Sequence, residues 1–290
     1  MQSSRQVYDR KSGTIHTDVQ YGGGFLKTLY GTAFGRLIMP VVLSTPVSRI
    51  GGIYTDTFLS RMHIRKFIRK NNINMEEYEE RKFRSLNDFF TRKVKDGKRP
   101  VAEGDDAFAA PADSKLSIYP ISEDSHVLIK GNEYSVSDLV GSKEVYDEFH
   151  DGLCLVFRLS VDDYHRYAFP ADGKLVSSRH IKGRLHTVCD ISAAHRVYQE
   201  NSRVVSVLET ENFGKMIMIE VGALMVGRIV NHSLTSFHKG QEKGYFRLGG
   251  STIVVLCRSD VLTLDEDILE HTGKGQEVKL LCGERVGRAI

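Results

Sequence analysis

Gly249-Gly250-Ser251-Thr252-Ile253-Val254-Val255-Leu256 is the stretch from which the rest of the chain can be read. Two glycines lead into a serine, and the serine opens an apolar, β-branched run of strand length. The first strand residue is therefore a hydroxyl with no side-chain bulk just upstream. That suits a serine whose target is its own chain, with Oγ of Ser251 attacking the carbonyl of Gly250. A turn entering a strand explains the same residues, and the stretch by itself does not separate the two.

Around it lie 290 residues, 41% of them hydrophobic, enough for one large core or two small ones. The net charge of +3 is close to neutral, and no basic block follows an aromatic one, so nucleic acid is not an expected partner. The cysteines, Cys154, Cys189, Cys257 and Cys282, form no CxxC pair, which fits reduced, buried thiols in a cytosolic setting. No Cys/His cluster has zinc-ligand spacing and no HExxH occurs. Met1 to Tyr21 is polar and mixed in charge, unlike a secretory signal. The run Leu37 to Ser48 contains Pro40 and Pro46 and falls short of the roughly 20 residues a spanning helix needs.

Residues 1–21 read as a polar arm. Residues 22–50 mix Phe25, Leu29, Phe34, Leu37 and Val41 with Lys27 and Arg36, broken by glycines and prolines. An interfacial anchor and a helix packed on the protein's own core both fit that pattern. Residues 56–82 carry the clearest helical spacing, with Lys66, Arg69 and Lys70 on a face toward solvent or anionic lipid. Asn74 and Ser85 are candidate helix caps, the latter before Phe89 and Phe90, which either touch acyl chains or pack inside. Gly97 to Asp106 is charged and turn-rich and marks a boundary. Beyond it, short strand-like runs follow at 116–119, 126–129, 153–159, 204–208, 216–221 and 251–256, with a short helix near 134–140. The expected class is α+β: a helical, membrane-associating region over 22–100, then a mainly antiparallel, β-rich catalytic domain over 101–290.

Besides Ser251, chemistry-bearing residues gather at Pro111-Ala112-Asp113 and at Asp162-Asp163-Tyr164-His165-Arg166-Tyr167-Ala168. An Asp, a His and a Ser from separate segments can activate a serine, although composition does not say that they meet. Asp162 and Asp163 either orient their loop or are solvated charges.

In order along the chain, Asn87-Asp88-Phe89-Phe90-Thr91-Arg92, Pro111-Ala112-Asp113, Asp163-Tyr164-His165-Arg166-Tyr167, Leu185-His186-Thr187-Val188, Val221-Gly222-Ala223-Leu224-Met225-Val226-Gly227 and Gly240-Gln241-Glu242-Lys243-Gly244-Tyr245-Phe246 resemble motifs of the phosphatidylserine decarboxylases. Gly249-Gly250-Ser251-Thr252 is similar to the branch with double-glycine cleavage sites. The resemblance implies a self-processing proenzyme. Ser251 attacks Gly250 to give an ester, and β-elimination leaves dehydroalanine, which rearranges and hydrolyses to a pyruvoyl group. The products are a large chain (1–250) and a small chain (251–290). The pyruvoyl carbonyl condenses with the substrate amine and draws electrons from the breaking Cα–carboxylate bond, as pyridoxal phosphate does elsewhere. The cofactor implied is this pyruvoyl group, with no metal and no pyridoxal phosphate. Implied site residues are Asp113, His165 and Ser251 for catalysis, with Arg166 and His186 as substrate contacts. Implied partners are phosphatidylserine and an anionic bilayer surface, with peripheral attachment at the cytoplasmic face of the cell membrane and room for a homodimer.

The chain departs from the family pattern at Ala168, where a second histidine is usual. Alanine cannot transfer a proton. Either His165 serves both steps, or His186 or His232 comes in, or the chain matures poorly. The last option keeps a non-cleaving lipid-binding pseudoenzyme open, beside a decarboxylase of a soluble amino acid. Ser114 also replaces a usual glycine after Asp113; the second Pro-Ala-Asp, at Asp172, reads as a turn.

Overall fold

The computed structural model describes residues 4–19, 52–124, 126–129, 132–142, 148–183, 197–222, 229–248 and 251–290, with isolated positions between 28 and 38. The chain opens on a hairpin, β1 (Ser4–Asp9) and β2 (Thr14–Val19). Short helices follow: a 3-10 turn at Phe58–His63, an α-helix at Ile64–Lys70, a second 3-10 turn at Met75–Glu77 and the helix Leu86–Phe90. Then come β3 (Ala107–Ala109), β4 (Ser114–Pro120) and the hairpin β5 (His126–Ile129) and β6 (Asn132–Ser135). After the helix Val136–Val140 come β7 (Leu153–Leu159), β8 (Arg166–Ala168), β9 (Gly173–Ile181), β10 (Arg203–Thr210) and β11 (Gly214–Val221). β12 (Ile229–Asn231), β13 (Ser236–Phe237) and β14 (Glu242–Phe246) lead to β15 (Ser251–Cys257). β16 (Leu262–Leu264), the helix Glu266–Gly273, β17 (Glu277–Leu280) and β18 (Arg285–Ala289) close the chain.

Among the described residues, ten strands form one sheet in the order β13-β9-β10-β11-β15-β7-β4-β17-β1-β2. Its pairings are antiparallel except for β1 beside β17. β15 lies between β11 and β7, and all its residues are buried. Ile253, Val255 and Cys257 join Leu155, Phe157 and Met218 in one core, while Val254 and Leu256 join Val156, Ile217 and Ile219 in the other. A strand covered on both faces has no solvent-facing positions, which is why residues 253–256 form an unbroken apolar run. Each such side chain contributes about 1.5–3 kcal/mol, so the strand that begins with Ser251 is firmly held.

The class is α+β with a mainly antiparallel sheet, but its N-terminal part differs from expectation. Residues 4–19, within the expected polar arm, form strands of the main sheet. Their partners are distant in sequence: Arg10 pairs with Asp265 and Asp267, each at 2.6 Å, Asp9 with Lys279 and Asp18 with Arg158, each at 2.7 Å, while Val7 is buried. Among the described residues of the region expected to be helical, isolated positions between 28 and 38 are helical, short helices lie between residues 52 and 90, and residues 93–100 carry none. Residues 39–51 and most of 20–38 lie outside the described part, so the choice between an anchor and a packed helix at 22–50 falls there.

The short helices build a small core of Ile64, Leu86 and Phe89, with Phe67, Phe83 and Leu248 packed against it. Both expected caps are present: Asn74 Oδ1 accepts from the Glu76 amide and Ser85 Oγ from the Asp88 amide, each at 3.1 Å. Phe89 and Phe90 are fully buried, so they pack inside rather than meet acyl chains.

Candidate active site

The register of three neighbouring strands gathers the expected residues at one end of the sheet. Ser251 is the first residue of β15 and lies opposite Leu159, the last of β7. Arg158 of β7 lies opposite Lys115 of β4, and Asp113 directly precedes β4. His165 sits on the loop that leaves β7, and its carbonyl accepts from the Phe246 amide at 2.9 Å, at the end of the strand leading to Ser251.

Ser251 and His165 are both 0% exposed. Among the described residues, Ser251 Oγ and His165 Nε2 have no hydrogen-bond partner. Buried polar atoms are normally paired, so these two orphans are unusual. His165 Nδ1 lies 2.9 Å from the Asp163 carbonyl oxygen. A carbonyl only accepts, so Nδ1 carries the proton and Nε2 keeps a bare lone pair. Burial pushes the imidazole down to about 4, with the nearby Arg92 and Lys115 cations adding to the effect. His165 is thus a neutral base whose proton-accepting nitrogen is free.

Asp163 holds this loop in place and is no solvated charge. Its carboxylate takes Lys115 Nζ at 2.6 and 2.9 Å and the Ser160 amide at 2.6 Å. Burial works to lower the Lys115 ammonium, but Asp163 and Asp162 outweigh it and push it up. Asp113 is also buried, and its carboxylate accepts from Arg99 Nη2 at 2.7 Å and from the Cys282 amide at 2.8 Å. Burial pushes the Asp113 carboxyl up, and Arg99 opposes that rise. Among the described residues, no hydrogen bond joins Asp113, His165 and Ser251 to one another.

Arg166 is already engaged: Nε donates to the Thr91 carbonyl at 2.9 Å and Nη1 to Glu242 at 2.8 Å. His186 and Gly250 lie outside the described residues. His232 is partly exposed and bonds Glu242 through Nε2 at 2.7 Å. Ala168 lines a cavity of about 180 Å³ with Tyr164, Arg166, Glu242 and Cys282. No three His, Cys, Asp or Glu side chains among the described residues are grouped to hold a metal.

The sequence profile of the phosphatidylserine decarboxylases matches residues 86–288. The chain belongs to the phosphatidylserine decarboxylase family. It is 46% identical over 283 residues to phosphatidylserine decarboxylase proenzyme 2 of Clostridium acetobutylicum, covering 97% of each chain. It is 34% identical to the phosphatidylserine decarboxylase proenzyme of Ruminiclostridium cellulolyticum over 98% of each chain. The proenzyme of the same name from Fusobacterium nucleatum is 35% identical, again over 97% of each.

In this decarboxylase the helix Leu86–Phe90 organises the corner, a role sequence reading did not assign to it. Asn87 Oδ1 accepts from the Leu248 amide at 3.0 Å, and its Nδ2 donates to Asp56 at 2.8 Å. Asp56 also pairs with Arg247. The segment leading to the glycines is therefore clamped from the helical side. The Phe90 ring lies 4.1 Å from the His165 ring, centroid to centroid. The signal in the sequence was the run Asn87 to Arg92 itself, a polar-aromatic cluster too regular to be only a cap.

A second polar network lies in the interior near β15. Lys243 Nζ meets Glu220 Oε1 at 2.8 Å, Asn231 Nδ2 donates to Glu220 Oε2 at 3.1 Å, and Tyr167 Oη donates to Asn231 Oδ1 at 2.8 Å. Glu220 lies opposite Ile253 in the β11–β15 pairing. A Cβ on Gly244 would meet the Val230 carbonyl oxygen at 2.2 Å and Asn231 Oδ1 at 2.6 Å, so only glycine fits there.

Proposed function

We propose that the chain is made as a proenzyme, cleaves itself between Gly250 and Ser251, and then decarboxylates phosphatidylserine to phosphatidylethanolamine. One observation carries this reading: two buried, unpartnered atoms, a hydroxyl and a bare imidazole nitrogen, at the same end of β15 and β7. His165 Nε2 takes the Ser251 proton, and Oγ adds to the Gly250 carbonyl carbon. The peptide C–N bond breaks as its nitrogen accepts a proton, leaving an ester. Removal of the Ser251 Cα proton then expels the Gly250 carboxylate and separates 1–250 from 251–290. The dehydroalanine left at position 251 tautomerises to an imine, water releases its nitrogen as ammonia, and the pyruvoyl group so formed would supply an electron sink for the loss of carbon dioxide. Position 251 fits that group, since its side-chain oxygen makes no hydrogen bond that conversion would break. His165 stays neutral and able to shuttle a proton, while Asp163 and Lys115 fix its loop.

Intact-mass measurement of the purified protein should show two chains, the smaller starting with a pyruvoyl group, and a Ser251→Ala protein should remain one chain of 32.7 kDa. Carbon dioxide should be released from phosphatidylserine vesicles and not from free serine. A wild-type protein that stays uncleaved would favour the lipid-binding pseudoenzyme that Ala168 motivates, and turnover of free serine would favour the soluble substrate.

Attachment is read as peripheral, at the cytoplasmic face of the cell membrane. No helix among the described residues is long and apolar enough to cross a membrane. Phe58, Leu59 and Met62 are 67–75% exposed on one 3-10 turn. They line a groove of about 670 Å³ with Phe83, Arg61, Arg65, Arg81 and Lys82. Apolar side chains ringed by cations suit the surface of an anionic bilayer, where each cation contributes about 1 kcal/mol. Phe58→Ser/Met62→Ser should cut co-sedimentation with phosphatidylserine vesicles about tenfold or more, while self-cleavage proceeds. Unchanged co-sedimentation would move the docking surface elsewhere.

A further inference from the structure

Arg92 is a buried cation that no carboxylate among the described residues pairs with. Its side chain is among the largest fully buried ones, at 1% exposure. Its Nη2 donates to the Asp162 carbonyl at 3.1 Å, to the Asp163 carbonyl at 3.5 Å and to Tyr78 Oη at 3.2 Å. Nε and Nη1 have no partner. The guanidinium carbon lies 4.2 Å from the Tyr78 ring centroid and 4.9 Å from that of Phe89. Rings and carbonyls hold the group in one orientation but do not neutralise it. A buried charge left uncompensated is costly, so the arrangement calls for an anionic ligand.

Its neighbour is the proposed base. The Asp163 carbonyl that Arg92 reaches also fixes His165 Nδ1 at 2.9 Å. The substrate offers two anions, its carboxylate and its phosphodiester. A cation on the carboxylate would stabilise the charge that must disperse as carbon dioxide leaves, and so would oppose the step. On the phosphodiester it has no such effect, because that charge is the same before and after. Guanidinium donors also suit phosphate oxygens.

We propose that Arg92 binds the headgroup phosphodiester of the substrate and so sets the distance between the serine moiety and Ser251. This rests on the decarboxylase reading above. Leu248, in the segment that cleavage would release, packs in the same cluster as Phe89, the ring under Arg92.

The test compares three soluble inhibitors of vesicle decarboxylation in cleaved wild type, Arg92→Lys and Arg92→Gln. Glycerophosphoserine carries both anions, glycerophosphoethanolamine only the phosphodiester, and serine methyl ether only the carboxylate. In Arg92→Gln the inhibition constants of both phosphodiesters should rise together, by about tenfold to a hundredfold for a lost charge-assisted contact. That of serine methyl ether should hold, and Arg92→Lys should fall between. Cleavage, scored separately by intact mass, shows whether the decarboxylase reading itself stands. A rise for glycerophosphoserine and serine methyl ether alone would assign Arg92 to the carboxylate and overturn the proposal. Equal losses for all three, or an uncleaved Arg92→Lys, would make it a structural peg and overturn it as well.

Discussion

Replacing His165 with alanine should slow self-cleavage by a factor of about 10² to 10⁴, the usual loss when a general base is removed. The purified variant should run as one chain where the wild type runs as two. The pH profile makes the assignment specific. Only neutral imidazole accepts the Ser251 proton, and burial pushes His165 down to about 4. The wild-type rate, followed by intact mass on freshly refolded precursor, should therefore stay level below pH 6.5 and fall only near pH 4. Stability follows the same group with a definite sign. Between 6.5 and about 4 the unfolded chain binds a proton at His165 that the folded chain does not, so stability drops as pH falls through that window. A cleavage rate that already bends near pH 6.5 would mean that a base other than the buried His165 takes the Ser251 proton.

The elements that could be read from the sequence are those whose neighbours are close or whose environment is uniform. β15 and β7 are buried on both faces, so their apolar runs announce them. Ser85 and Asn74 cap helices through contacts two or three residues away. The hairpin of β1 and β2 could not be read that way. Its strands lie at one side of the sheet, with Ile15 exposed beside many polar residues, and its ion pairs are made with Arg158 and with residues 265–279. β9 escaped for a related reason: Val176 is 62% exposed and most of the strand is half-buried or exposed.

The site divides in the same manner. Ser251 and His165 stood out as residue types in a recognisable order; Ser251 opens β15 opposite Leu159, and His165 lies on the loop that leaves β7. Arg99 and Lys115 did not stand out, and Asn87 and Arg92 stood out only as members of a motif and not by what they hold, because each acts on a partner distant in sequence. Asp113 shows the limit of residue-type reasoning: the carboxylate is at the expected strand end, but its charge is committed to Arg99.

The interior pair of Lys243 and Glu220 gives the largest expected effect on stability. Lys243 is 1% exposed and Glu220 0%. Lys243→Met removes the cation that meets the Glu220 carboxylate among the described residues and leaves a charge in the buried interior, at a cost of about 3–5 kcal/mol. At about 2–4 °C per kcal/mol, the thermal midpoint should fall by about 10 °C. Glu220→Gln/Lys243→Met should recover most of that loss. The amide removes the stranded charge and still offers an oxygen to Asn231 Nδ2, which now donates to Glu220 at 3.1 Å. Thermal melts of the two variants decide the point: a double variant as unstable as the single one would mean that attraction within the pair, and not the cost of a lone buried charge, holds this part of the core together. Because Glu220 lies opposite Ile253, two residues from Ser251, self-cleavage of the double variant also reports on the site. Cleavage at the wild-type rate would mean that the network serves only the fold, and slow cleavage in a well-folded double variant would mean that the ion pair also sets the position of Ser251 on its strand.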